Sequence, residues 1–254
     1  MTRATREALA GLDGKKLALD ARRPLPAATV ASLRAWLRVE TTYTSNAIEG
    51  NRLDRAETTV VLEGLTVAGK PLRDHLEAVD HADAFDFIVA LAGRDEVFTE
   101  ADLRAVHRLV LGRSRPDAAG RYRDDQGYIA GSPDVPPPPA VVPSLVADLF
   151  AALHAHRLAP HPVAEAALFH ARFEAIHPFV DGNGRAGRLA ANLLLARAGY
   201  LPAIIAPEAR PAYFDALSAA RTGRSGPDHP PLRRGRRTNR RLRPVGLRRG
   251  ARRR

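Results

Sequence analysis

His177-Pro178-Phe179-Val180-Asp181-Gly182-Asn183-Gly184-Arg185-Ala186-Gly187-Arg188 decides how the rest of this chain is read. The stretch brings together an imidazole, a carboxylate, two glycines flanking an asparagine, and two arginines. Upstream, Ala166, Phe169, Phe173 and Ile176 recur at the spacing of one helical face. Downstream, Leu189-Ala190-Ala191-Asn192-Leu193-Leu194-Leu195-Ala196 is good helix material. The motif therefore reads as helix, tight loop, helix. Gly182 and Gly184 permit backbone angles closed to other residues and let a ligand approach the main chain. Free N–H groups at the start of the second helix would form an anion site, with phosphate the usual occupant. Arg185 and Arg188, at i and i+3, share a face and would grip a polyphosphate. Asp181 is a hard oxygen ligand suited to Mg²⁺, and His177 can accept a proton near neutral pH. Taken singly, a His before Pro is a helix-end residue, and Gly-x-Gly or Asp-Gly is a turn. Their coincidence in one loop favours a site.

The same stretch resembles the signature of the Fic-domain family: His, any residue, Phe, any residue, Asp or Glu, Gly-Asn-Gly-Arg, two residues, Arg. Every defining position is matched, and the likeness extends over roughly residues 25–222. The resemblance implies an all-α helical bundle with a small β-hairpin flap beside the active site. It implies transfer of AMP from ATP to a Tyr, Ser or Thr hydroxyl of a protein target, the chain itself included, with Mg²⁺ as cofactor. Carried over by position, His177 is the base and Asp181 holds Mg²⁺. Gly182, Asn183 and Gly184 line the inner phosphates, Arg185 and Arg188 hold the outer ones, and Phe179 anchors the core. Removal of AMP, and transfer of UMP or phosphate, are alternatives within the same family.

A second element follows from local rules. Glu49 stands in the last turn of a helix, where a carboxylate opposes the helix dipole at a cost of about 0.3–1 kcal/mol. A local rule broken without local compensation points to a distant partner. Ser45-Asn46-Ala47-Ile48-Glu49-Gly50 resembles the family's inhibitory motif, of which Ser45 and Glu49 are the defining residues, and this implies that Glu49 pairs with Arg188 and blocks the outer phosphate.

Charge separates the chain into parts. The formal net charge is +11, from 39 basic and 28 acidic residues. Residues 224–254 hold thirteen of those arginines and one acid, Asp228, which leaves 26 basic against 27 acidic residues elsewhere. The globular part is close to neutral, so any nucleic-acid binding would run through the tail. The expected organisation is an N-terminal extension over 1–25, a catalytic domain over 26–222 with an inhibitory helix near 43–50, and a disordered Arg-rich tail over 223–254. An anionic-partner arm and a shifted reading frame are both open for that tail. With no cysteine, neither disulfides nor thiolate metal sites can form. Met1-Thr2-Arg3-Ala4-Thr5-Arg6 lacks the apolar run of a signal peptide, and no apolar stretch nears the roughly 20 residues of a membrane span. A cytoplasmic location without membrane partners is the default, and a homodimer stays open.

Periodicity predicts a short helix before Pro24 and a helix from Ala27 that breaks at Thr41-Thr42-Tyr43-Thr44. Gly50 then caps a short helical turn. Further helices are predicted over 55–64, 71–93, 99–111, 143–157, 162–176, from the motif to about 198, and over 207–221. Glycine and proline exclude helix from 113–142. The flap is expected there, with Gln126, Gly127, Tyr128 and Ile129 docking a target backbone by strand addition. His154, His156 and His161 read as surface histidines.

Overall fold

The computed structural model describes residues 2–127 and 135–221. Their regular structure is helical: α1 (Arg3–Asp20), α2 (Ala27–Ile48), α3 (Arg55–Leu62), α4 (Leu72–Ala92), α5 (Glu100–Val110), α6 (Val142–His154), α7 (Pro162–Ile176), α8 (Asn183–Arg197) and α9 (Arg210–Arg221). Short 3-10 turns at Pro139–Val141 and Pro207–Ala209 lead into α6 and α9.

The starts of these helices are written in the sequence. Thr99 accepts from the Asp102 N–H and Asp102 returns a bond to the Thr99 N–H, a reciprocal cap that opens α5. Asp54 and Glu57 do the same for α3. The helix pair flanking the motif, α7 and α8, is the centre of the bundle. Against it pack α4 and α5 on the α8 side and α6 and α9 on the α7 side, while α2 lies on α4 and α8. A Cβ on Gly187 would stand 2.7 Å from Glu174 Oε1 and 2.8 Å from Phe173 Cδ1. Only glycine lets α7 and α8 approach this closely.

The predicted inner face of α7 is buried throughout: Ala166, Phe169, Phe173 and Ile176. Phe169 meets Phe98 and Phe150, and the Phe98–Phe150 pair is edge-on with ring centroids 5.2 Å apart. Each such ring contributes roughly 1.5–3 kcal/mol by burial, with a further 0.5–1.5 from ring geometry. This core lies directly under the motif loop, because Phe179 reaches into it with no exposed surface.

Three expectations are corrected. α2 does not break at its threonines but runs unbroken to Ile48. Thr41 and Thr44 turn their hydroxyls back onto the carbonyls of Leu37 and Glu40, and the segment is buried against α4, so packing outweighs propensity. The N-terminal helix is not short: α1 has 18 residues, although only Leu9 is buried. No strand occurs among the described residues. Residues 121–127 and 135–138, where the hairpin was expected, carry no regular secondary structure. Pro136 to Pro139 lack the N–H groups a ladder needs. Tyr128 and Ile129 lie outside the described residues, as do the tail residues 223–254. Among the described residues, no helix is long and apolar enough to cross a membrane.

Candidate functional site

His177 ends α7. It adopts the left-handed conformation, φ 49° and ψ 60°, which turns the chain into the loop. A non-glycine residue there stores about 1–2 kcal/mol of strain and persists only if its surroundings impose it. The His177 N–H donates to the Phe173 carbonyl at 2.9 Å, and the His177 carbonyl accepts from Arg123 Nε at 2.8 Å. The Arg123 N–H also donates to the Pro178 carbonyl at 2.9 Å. Burial pushes the imidazole down to about 4, helped by the charges of Arg221 and Arg123. Glu49 and the Glu174 carbonyl pull the other way without reversing it. His177 is therefore a neutral base at physiological pH. Its Nδ1 is buried without a hydrogen bond of good geometry.

Asn183 clasps the loop. Its Oδ1 accepts from the Phe179 N–H at 3.0 Å and its Nδ2 donates to the Phe179 carbonyl at 2.8 Å. Its side chain is thereby committed to the loop, and what it offers a ligand is its main-chain N–H. Gly182 precedes α8 at φ 74°, and the first intrahelical bond runs from the Ala186 N–H to the Gly182 carbonyl. The N–H groups of Asn183, Gly184 and Arg185 therefore open toward the loop at the positive end of the helix.

Asp181 faces three guanidinium groups. Its Oδ1 accepts from the Gly182 N–H at 2.6 Å and from Arg185 Nη2 at 3.2 Å. Its Oδ2 has only looser neighbours, Arg73 at 3.4 Å and Arg115 at 3.7 Å. Burial alone would raise this carboxyl, but Arg185, the Gly182 N–H, Arg73 and Arg115 together hold it below the usual range. Arg185 is 2 % exposed. Beyond Asp181 its nearest carboxylate is Glu77, 3.3 Å from Nη1. Its Nε and Nη1 are buried without a hydrogen-bond partner.

Arg188, one turn on, is fully engaged. Nε donates to Ser45 Oγ at 3.0 Å. Nη2 donates to the Ser45 carbonyl at 2.9 Å and to Glu49 Oε1 at 2.8 Å. Nη1 donates to the Tyr213 hydroxyl at 3.3 Å. Burial works against the Arg188 charge, but Glu49 and Tyr213 more than offset it and raise its affinity for the proton. The structure thus brings Ser45, Glu49 and Arg188 together across 139 residues of chain between the acid and the arginine. The Glu49 carboxylate also lies over the cradle: a Cβ on Gly184 would collide with its Oε1 and stand 2.9 Å from Arg188 Nη1.

Of the flap residues, Gln126 and Gly127 stand next to the motif loop through Arg123. Gln126 Nε2 donates to the Pro136 carbonyl at 3.0 Å, and a Cβ on Gly127 would stand 3.2 Å from Arg123 Cδ.

Sequence reasoning missed several residues here. His107 stacks flat on Phe179, centroids 3.6 Å apart, accepts from the Gly120 N–H at 2.9 Å and donates from Nε2 to the Asp181 carbonyl at 2.8 Å. Burial pushes it down to about 4, which keeps one nitrogen free to accept. Tyr213 joins Arg188 to His170, its hydroxyl 2.7 Å from Nε2. Arg210 Nε donates to the Ile48 carbonyl at 2.7 Å, at the end of the helix that carries Glu49. Arg73, Arg115 and Arg123 are ordinary arginines in the one-dimensional chain, and only tertiary placement sets them apart. Of the histidines expected at the surface, His154 and His156 are exposed and His161 is half-buried; His154 also meets the Phe98 carbonyl at 2.8 Å and His161 meets Asp13 at 3.1 Å.

Comparison with known proteins agrees with this geometry. Residues 97–195 match the family model described as Fic/DOC family. The chain is 39 % identical over 184 residues to a protein named protein adenylyltransferase Fic from Culex quinquefasciatus, covering 71 % of this chain and 36 % of that one. It is 36 % identical over 228 residues to the Drosophila melanogaster protein of the same name, covering 86 % and 46 %. The chain thus spans less than half the length of these curated relatives. Among solved structures, a segment of Fic-1 from C. elegans superposes with a TM-score of 0.76 at 28 % identity, covering 87 % of this chain and 65 % of that one. A Fic family protein from Desulfovibrio desulfuricans G20 superposes with a TM-score of 0.71 at 31 % identity, covering 88 % and 68 %. With the motif loop, the helical bundle and these relatives in agreement, the chain belongs to the Fic family.

Proposed function

We propose that this chain is a protein adenylyltransferase, moving AMP from ATP to the hydroxyl of a protein side chain and restrained by its own Glu49. The observation that carries the reading is the start of α8. There, free main-chain N–H groups stand beside Arg185, whose buried Nε and Nη1 have no hydrogen-bond partner. Nη1 keeps the Glu77 carboxylate at 3.3 Å, while the buried Nε–H has no hydrogen bond, a cost of about 1–3 kcal/mol that a phosphate oxygen would offset. The relatives named protein adenylyltransferase supply the class of donor.

The residues fit Mg²⁺. Asp181 offers one hard oxygen, Oδ2, whose protein neighbours are both beyond 3.3 Å. Mg²⁺ is commonly held by one or two carboxylates with substrate phosphates and water completing its shell. When bound, the ion would neutralise phosphate charge and orient the α-phosphate. His107 fixes the backbone of Asp181 and Asn183 fixes that of Phe179, so the loop is set before a ligand arrives.

The transfer itself uses His177. Neutral Nε2 takes the proton from the target hydroxyl as the oxygen bonds to the α-phosphorus. The bond from that phosphorus to the bridging oxygen breaks, pyrophosphate leaves, and the protein keeps a phosphodiester to AMP. The N–H groups of α8 and Arg185 stabilise charge on the leaving phosphates. Arg188 would hold the outer phosphate, but Glu49 stands in that place.

Target residues of Tyr, Ser or Thr type, self-modification and a cytoplasmic location belong to the same proposal. Removal of AMP is a second reading, favoured by the half-exposed Glu49 carboxylate above the cradle, where it could orient a water. Mass spectrometry after incubation with ATP and Mg²⁺ tests the first reading. A Glu49→Gly protein should gain the mass of one AMP on a hydroxyl side chain. Gain of phosphate alone, or no adduct on itself or on added cell protein, would overturn it.

A further inference from the structure

We propose that Arg123 is a positioning residue for this reaction: it fixes the backbone beside Gln126 and Gly127, where the target would dock, against the backbone of His177. The inference rests on the transferase reading above. Arg123 is 3 % exposed. It makes no ion pair among the described residues, and its guanidinium is spent wholly on main-chain carbonyls. Nε donates to His177 at 2.8 Å, Nη1 to Asp125 at 3.0 Å, and Nη2 to Pro137. The carbonyls of Asp125 and Pro137 lie in the described segments 121–127 and 135–138. One planar fork therefore bolts both segments to the backbone of the residue that takes the proton. Gly127 confirms how tight the joint is, since a Cβ there would stand 3.2 Å from Arg123 Cδ and 3.4 Å from Nε. A lysine cannot reproduce the joint, because its single nitrogen lacks the fixed fork.

The same charge acts on the imidazole. His177 is faced by the charges of Arg123 from segment 121–127, Arg221 from α9 and Glu49 at the end of α2, and by the main-chain carbonyl of Glu174. Burial and the two arginines favour the neutral ring, while Glu49 favours the charged one. Arg123 thus contributes separably through geometry, which lysine loses, and through charge, which lysine keeps.

That separation defines the test. Glu49→Gly protein serves as the active background, and a His177→Ala copy of the same chain serves as acceptor. Arg123→Lys should raise KM for the acceptor on the order of tenfold, the loss of about one charge-assisted hydrogen bond, with kcat within about threefold. Its His177 ring, followed by NMR, should titrate where the parent's does. Arg123→Gln should raise KM similarly and also move the His177 titration, and the acid limb of kcat, to higher pH. ATP affinity should be unchanged in both. An acceptor KM unaltered in either variant, or a ring titration unmoved in Arg123→Gln, would overturn the inference. If Arg123→Gln does not fold, an Arg123→Lys protein with unaltered acceptor KM still does so. Should the Arg123 parent fail to transfer AMP at all, the transferase reading itself falls. The ring titration then still reports on Arg123.

Discussion

Replacing Glu49 by glycine should release Arg188 and raise the transfer rate. The size of the effect follows from what Glu49 holds. It contributes one charge-assisted hydrogen bond of 2.8 Å to a guanidinium that is 9 % exposed, from a carboxylate that is 35 % exposed. Such a bond is worth about 1.5–3 kcal/mol, and solvent at the carboxylate places this one toward the lower end. In the proposed reaction, an incoming γ-phosphate would have to displace it and also enter beside a negative charge. Removing that competition should accelerate transfer by about 10–100-fold, taking roughly 1.4 kcal/mol per tenfold change. Stability should fall by only about 1 kcal/mol, because Arg188 keeps Ser45 Oγ, the Ser45 carbonyl and Tyr213. Glu49→Gln should gain less than Glu49→Gly, since it removes the charge but leaves the bulk over Gly184. Arg188→Ala should be inactive alone and combined with Glu49→Gly, a non-additive result expected of two residues in contact. The assay is the initial rate of label transfer from ATP for the five proteins, with ATP affinity measured separately. A Glu49→Gly protein no faster than the parent would refute the argument.

Asp181→Asn should abolish the Mg²⁺ dependence of transfer together with at least about 100-fold of its rate, while the fold holds because His107 binds the Asp181 carbonyl and not its side chain. Stability should fall in mild acid. Burial pushes His81 and His170 down to about 3 and His107 to about 4, so the unfolded chain takes up protons first as pH drops below 6.5. Each histidine contributes fully above its unfolded value, and roughly 1–2 kcal/mol of that is lost from pH 7 to 5. Glu174, pushed up by burial to about 7, opposes this with one group, gaining stability as pH falls from 7 toward 4.5. The urea midpoint should therefore drop from pH 7 to 5, and a midpoint that does not move would contradict the assignment of these rings as neutral.

The legible parts of this molecule are local. α7 and α8 followed from the spacing of Phe169, Phe173 and Ile176 and from the leucines after the motif. The loop between them followed from its glycines. Glu49 was legible because its position broke a helix rule, and its partner is the arginine that the family likeness assigned. What was missed depends on packing. Thr41 and Thr44 have weak intrinsic helix preference, and burial against α4 outweighs it. His107 lies 74 residues from Asp181, and nothing in its neighbours along the chain marks it. Arg123 resembles any other loop arginine until the fold folds three carbonyls around it.

Incubating Glu49→Gly protein and its His177→Ala companion with Mg²⁺ and ATP labelled at either the α- or the γ-phosphate tests the account most directly. The account predicts that the α-label alone becomes covalently bound to protein, and that His177→Ala lowers its rate by about 10²–10⁴-fold while ATP still binds. Retention of the γ-label, or α-label transfer that is undiminished without His177, would contradict it.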